Sequence, residues 1–377
     1  MISSVDHLTI AVKDLDQAIN DYEKVLGVGP CWKGKHTELG TKNALFNFEN
    51  TYLELLSPCD AGPGTELINS LLVEKGDHLA GIVLGTQNIE HAQEDLSRNG
   101  HPVEIRSGEA INEKDGEIRR WKNIFLPNTL SRELFIFIIE HTEGNLPKHE
   151  SQDPSKVKKL DHVVINTQDA DGFISIYRDI YKIRLALDKT IEHWKRRMLF
   201  FRTNATTIEV IEEKNKKESA DELWGLAWEV DSIEDAHERL VSNNVEVTPI
   251  KEGLKKGTLV ATIKSHTCNV PTLLIEHLKY MLKGTKFQIM VWNELKKIPE
   301  GEVRTYKDIA LAIGKPNSAR AVANACGKNP KPIEIPCHRV IRSDGCLGGY
   351  SGKGGISTKR KLLKREGISL NRLYYDL

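Results

Sequence analysis

The chain reads as an α+β protein: four βαβββ modules in tandem, followed by a small, mostly helical domain with a helix-turn-helix. Three observations predict this. A long N-terminal segment repeats itself at one offset, each repeat alternates strand-like and helix-like periods, and composition changes abruptly near residue 283. The repeat is carried by "VDHLTIAVKDLDQAINDYEKVLGV" (5–28), which aligns without gaps on "LDHVVINTQDADGFISIYRDIYKI" (160–183), an offset of 155. Asp6 and Asp161, His7 and His162, Asp14 and Asp169, and Tyr22 and Tyr177 fall in register. The same offset lays "TYLELLSP" on "TTIEVIEE" and so Glu54 on Glu209.

Within each copy a β-branched alternating strand is followed by an Asp-rich turn and an amphipathic helix with apolar residues three and four apart. A second pair, "LAGIVLGTQNIEHAQEDLSRNG" and "LWGLAWEVDSIEDAHERLVSNN", repeats the strand-then-helix pattern. Each copy closes in a similar strand, "LFIFIIEH" and "PTLLIEH". Between the copies, "EGNLPKHESQDPSKVKK" is polar and broken by two prolines, and reads as a linker. The boundaries expected are 1–142, a linker at 143–157, 158–280 and 283–377.

Length and charge narrow the class. A chain of 377 residues exceeds one ordinary core. At 39% apolar and 28% charged it reads as soluble and globular, without the long apolar run of a membrane span. The start has no basic secretory n-region, and six cysteines at 31, 59, 268, 326, 337 and 346 form no CxxC pair. A reducing compartment is expected, cytoplasmic or, in a eukaryote, nuclear. The net charge of zero hides a division. Residues 283–377 carry 19 Lys+Arg against 8 Asp+Glu, and residues 1–282 carry 34 against 45. The C-terminal part is therefore suited to a polyanion, although a basic tail can also serve solubility alone.

In that basic part, "TYKDIALAIG" reads as a short helix whose Thr305 and Asp308 are spaced as a capping box. "GKPN" is a turn, and "SARAVANACGK" is a second helix capped by Ser318, rich in alanine around Arg320. Two helices joined by a Gly-containing turn make a helix-turn-helix, although alanine also marks a merely tight-packed helix. Downstream, "EIPCHRVIRSDGCLGGYSG" sets Cys337 beside His338 after Pro336. Zinc would want further Cys or His at short spacing. A Cys337–Cys346 disulfide is conceivable but disfavoured by a reducing compartment. A core cysteine leaves the flanking His338, Pro336 and upstream Asn329-Pro330 unexplained. A nucleophile beside its base accounts for all of them, because an imidazole raises the thiolate fraction of a thiol whose reference pKa is about 8.5.

Residues 1 to about 280 resemble a tandem of glyoxalase-like domains of the vicinal oxygen chelate superfamily, on the "DH…AV.DLD.A" opening and the "YLELL" strand. The resemblance implies metal positions at His7, Glu54 and Glu140 in one copy and His162, Glu209 and Glu276 in the other. A fourth position falls on Gly81 and Gly225, so these six are weak candidates and no metal is expected. His78, His141 and His277 lie near the same slots. A small-molecule ligand in the cup is the remaining expectation.

Residues 286–377 resemble the catalytic domain of O6-alkylguanine-DNA alkyltransferases (methylated-DNA–protein-cysteine methyltransferases). "FQIMVW", "IPEGEVRTYKDIA", "ARAV", "NPKPIEIPCHRV", "DGCLGGYSG" and "KRKLLKREG" occur in the family's order. The resemblance implies that Cys337 takes the alkyl group from O6-alkylguanine in double-stranded DNA irreversibly, without a cofactor. His338 would take the thiol proton, Glu366 would orient His338, and Asn329 would brace the loop. Tyr306, Arg320, Ser318, Arg339, Tyr350 and Ser351 would bind DNA and the flipped base, with Arg320 replacing it in the stack. The segment after Tyr350 is about two residues longer than usual, and the family's customary N-terminal domain is replaced by the glyoxalase-like tandem. Two other readings are a DNA-binding regulator with a glyoxalase-like sensor, and a glyoxalase-type metalloenzyme.

Overall fold

The computed structural model describes residues 1–147, 153–191, 196–203, 206–213, 221–278 and 284–368. It divides into two compact units, Met1–Leu278 and Lys279–Leu377. Among the described residues no helix is long and apolar enough to cross a membrane.

The first unit contains the four modules. The first is β1 (Ser4–Ala11), α1 (Leu15–Leu26), β2 (Trp32–His36), β3 (Thr41–Asn47) and β4 (Tyr52–Pro58). Helix α2 (Pro63–Lys75) leads to β5 (His78–Gly85), α3 (Ile89–Arg98), β6 (Arg106–Asn112), β7 (Ile118–Phe125), the single turn α4 (Asn128–Ser131) and β8 (Phe135–Glu143). The second half repeats the order. It comprises β9 (Val157–Thr167), α5 (Ala170–Ile174), β10 (Arg184–Ile191), β11 (Arg196–Thr203), β12 (Thr206–Glu212), β13 (Glu222–Val230), α6 (Ile233–Ser242), β14 (Lys251–Glu252), β15 (Thr258–Ile263) and β16 (Thr272–His277).

The repeated aspartates earn their positions locally. Asp14 and Asp169 are N-caps, accepting from the backbone N–H of Gln17 and Gly172. Tyr22 and Tyr177 are fully buried on the helices that follow. The helices then diverge: α5 opens into a π-helical turn over Ser175–Ile180, which puts Ile176, Tyr177 and Tyr181 all in the core. In each half the first and last strands of a module pair in parallel, β1 with β4 and β9 with β12, while β1 and β5, and β9 and β13, meet antiparallel.

The halves close differently. In the first, β2 pairs with β6 through Gly34 and Asn112, completing a closed eight-stranded barrel. In the second, β10 and β14 are the two ends of an open eight-stranded sheet. One apolar core runs through both, and Phe48 and Trp228 meet in it at 4.8 Å. Tyr22 Oη donates to Thr267 O and Tyr181 Oη to Leu130 O, so buried hydroxyls also tie the halves together.

The second unit consists of α7 (Lys286–Leu295), the two-residue β17 (Arg304–Thr305), α8 (Tyr306–Ala312), α9 (Ala319–Gly327), a 3₁₀ turn at Cys337–Arg339, β18 (Val340–Ile341) and α10 (Gly355–Arg365). Its core joins Val291, Trp292 and Leu295 of α7 to Ile309, Val322, Ala325, Cys326 and Cys337.

Candidate active site

Thr305 caps α8 as its spacing predicts: its hydroxyl accepts from Asp308 N–H, and the Asp308 carboxylate accepts from Thr305 N–H at 2.8 Å. Ser318 precedes α9 but its side chain makes no capping bond. Its backbone, at φ −107° and ψ 19°, lacks the extended conformation that aims a cap hydroxyl at the first turn. Helix α9 is held from inside instead, by Val322, Ala325 and Cys326 and by Trp292 Nε1 donating to Ala325 O. Arg320 and Asn324 lie exposed on its outer side, and Arg320 makes no hydrogen bond or ion pair among the described residues.

The loop after α9 delivers the thiol. Asn329 Nδ2 donates to Ile335 O at 2.8 Å and to Cys337 Sγ at 3.0 Å, while Asn329 Oδ1 accepts from Lys331 N–H. Cys337 and His338 sit on the 3₁₀ turn, 2% and 1% exposed. That turn, not an extended strand, keeps both side chains inside. Ser351 Oγ lies 3.8 Å from the sulfur. All six cysteines are free thiols. Burial, with the Cys337 thiol beside it, pushes Cys326 up to about 12, so Cys326 is a poor nucleophile.

His338 Nε2 is 2.7 Å from Glu366 Oε1. Burial raises the Glu366 carboxyl, but hydrogen bonds from Arg339 and His338 outweigh it and hold the group below its ordinary value. An ionised carboxylate only accepts, so the neutral imidazole carries its proton on Nε2 and offers the Nδ1 lone pair as base. His338 Nδ1 is buried without a partner among the described residues.

Arg339, expected among the DNA-binding residues, forks onto Glu366, Nε to Oε2 at 2.9 Å and Nη2 to Oε1 at 3.0 Å, while Nη1 donates to Ile298 O. A bidentate pair of this kind fixes the carboxylate plane.

Tyr306, Tyr350 and Ser351 line the other side. The Tyr350 ring meets the His338 imidazole edge-on at 6.4 Å, and burial with the nearby thiol raises its hydroxyl pKa. Gly348 has φ +64°, and a Cβ there would lie 2.9 Å from Tyr306 Oη, so glycine is what brings this loop against the tyrosine. One residue was not anticipated. Lys359 of α10 is fully buried, and its ammonium donates to the carbonyls of Val340, Leu347 and Gly349. It ties the strand leaving the cysteine turn to the Gly348–Tyr350 loop. Its place one turn before buried Leu363 was the available signal.

The metal positions expected in the first unit do not assemble. His7 and Glu54 face one interior, with Nε2 and Oε2 3.6 Å apart, and His162 and Glu209 face the other at 3.8 Å. Glu140 and Glu276 point the opposite way. They accept from the backbone N–H of Ile89 and Ile233 at 2.8 and 2.9 Å, satisfying the first turns of α3 and α6. Strand alternation is the reason: neighbouring His141 and His277 turn inward, to Asp6 and Asp161. Gly81 and Gly225 supply no donor, and a Cβ on either would strike Phe135 or Pro271 O. The residues present do not fit a four-ligand metal centre.

Comparisons with known proteins divide the chain in the same way. Residues 286–368 match the model of the 6-O-methylguanine DNA methyltransferase DNA-binding domain, residues 5–181 a glyoxalase-like domain, and residues 159–261 the glyoxalase/bleomycin resistance protein/dioxygenase superfamily. The chain is 55% identical over 89 residues to a methylated-DNA–protein-cysteine methyltransferase of Methanosarcina barkeri, covering 24% of this chain and 55% of that protein. It is 53% identical over 85 residues to the bifunctional transcriptional activator/DNA repair enzyme Ada of Escherichia coli, covering 22% of this chain and 23% of that one. The chain thus spans about half or less of these relatives' length. A mutant 4-hydroxymandelate synthase from Streptomyces coelicolor superposes with a TM-score of 0.52 at 14% identity, over 73% of this chain and 92% of that one, which shows the fold alone. The chain therefore joins segments that match glyoxalase-like models to a C-terminal segment that matches the 6-O-methylguanine DNA methyltransferase DNA-binding domain model.

Proposed function

We propose that the protein repairs DNA by transferring an alkyl group from O6-alkylguanine to Cys337, once per molecule. One observation carries this reading: a buried thiol, held by Asn329, stands next in sequence to an imidazole whose far nitrogen is fixed by Glu366. His338 Nδ1 accepts the thiol proton, directly or through one water, and Asn329 Nδ2–H stabilises the thiolate. The sulfur attacks the alkyl carbon, the carbon–oxygen bond breaks, and its electron pair passes to the guanine, which Tyr306 helps protonate. The carbon–sulfur bond is not reversed, so turnover ends there. The Ada and Methanosarcina relatives support the reading by their names.

The target base must leave the duplex to reach a sulfur this buried. Helix α9 serves as the groove-facing element, with Arg320 taking the vacated place in the stack. A cytoplasmic or nuclear location follows from that substrate. For the first unit we infer a small-molecule ligand. A cleft of about 440 Å³ lined by Lys75, His78, Phe135, Trp224 and Pro271 has the size such ligands need.

The test is a titration of duplex containing O6-methylguanine. Demethylated DNA should reach one equivalent per chain and stop. Continued turnover, or no transfer, rejects the reading.

A further inference from the structure

We propose that the second half of the first unit binds one divalent transition-metal ion through Asp161, Glu229 and His277, a position offset from the one expected from His162 and Glu209. One donor atom from each of the three lies within 4.8 Å of the others. Asp161 Oδ1 is 2.6 Å and Glu229 Oε2 3.6 Å from His277 Nε2. The three stand on β9, β13 and β16, adjacent strands whose hydrogen-bonded register fixes their spacing. Asp161 reaches this face at a break in the β9–β13 register between Ala227 and Trp228, which lets it and His162 lie on one side. His162 Nδ1, at 2.8 Å from the Asp161 carboxylate, orients it from behind, as outer partners of metal ligands do. The side chains are 22%, 15% and 28% exposed, open enough for water to complete the coordination.

The first half is an internal control. Asp6 lies between His7 and His141 in the same way, at 2.7 and 3.1 Å. Gly85, however, stands four residues after Gly81, where Glu229 stands four after Gly225. A Cβ at Gly85 would lie 3.7 Å from Asp6 Oδ2, so the missing side chain belongs to the corresponding place. Among the described residues, three such donors come together in the second half alone. Two carboxylates beside one another are unfavourable unless a cation lies near. Lys159 Nζ, 3.0 Å from Glu229 Oε2 and 27% exposed, supplies part of that charge and competes with the metal. Two carboxylate oxygens and one imidazole suit Mn²⁺, Fe²⁺ or Zn²⁺.

The experiment uses the full chain, freed of metal by chelation, titrated with Mn²⁺ and separately with Zn²⁺, with bound metal counted and affinity measured calorimetrically. One ion per chain is expected. Glu229→Gln and His277→Ala should each weaken binding by about 10-fold or more, and Asp6→Ala should leave it unchanged. Lys159→Met should tighten binding, a gain that misfolding does not imitate. Absence of binding by either ion overturns the proposal, as does binding indifferent to Glu229→Gln and Lys159→Met.

Discussion

His338 Nε2 and Glu366 Oε1 lie 2.7 Å apart, both almost fully buried, with the Arg339 guanidinium on the other edge of the same carboxylate. The row Arg339–Glu366–His338 sets the imidazole tautomer, and therefore which nitrogen faces the reaction as a base. Arg339, expected among the DNA-binding residues, thus acts behind the imidazole, through Glu366.

Replacing Glu366 with Gln should slow alkyl transfer by about 10²-fold or more, the scale of a general base that loses its orientation. Stopped-flow transfer rates check this.

The same pair gives a pH dependence. Glu366 has a folded pKa below its unfolded value, so its stabilisation is fully present above the unfolded value and is lost as pH falls through the folded one. Denaturant unfolding of the wild type should weaken through the acidic range below about pH 4.3, where unfolded Glu titrates. Glu366→Gln should flatten that decline, and an unchanged slope would count against the pairing.

Lys359→Met should lower stability by about 2–4 kcal/mol, since it strips buried carbonyls of their donor. Transfer should slow as well, because the Gly348–Tyr350 loop loses its tie. Chemical denaturation and transfer rate read the two effects.

Arg320 and Arg339 should separate cleanly. Arg320→Ala should impair transfer from duplex DNA far more than reaction with free O6-alkylguanine base. Arg339→Ala should impair both and leave the salt dependence of DNA binding unchanged, because its charge is spent on Glu366.

Much of this was legible in the sequence because it is local or repeated. The modules follow from periodicity plus the 155-residue offset, and Thr305 with Asp308 form their box within four residues. What failed depends on register or on tertiary partners. The resemblance implies a metal position at Glu140, yet one residue of strand phase turns the neighbouring His141 to that face instead. Ser318 has the cap's identity but not its backbone angles. The helical spacing of Lys359 to Leu363 hints at its inward face, but the carbonyls that satisfy its ammonium come from other segments and cannot be read from that spacing. The closed first barrel and open second sheet arise from one strand pair, β2 with β6, which the repeat itself does not announce.

The most direct test of the central claim is the mass of the full chain after reaction with O6-methylguanine duplex, followed by peptide mapping. A single added methyl on Cys337, absent in Cys337→Ser and retained in Cys326→Ser, is the expected result. A methyl on Cys326 or Cys346, or transfer surviving in Cys337→Ser, would contradict it.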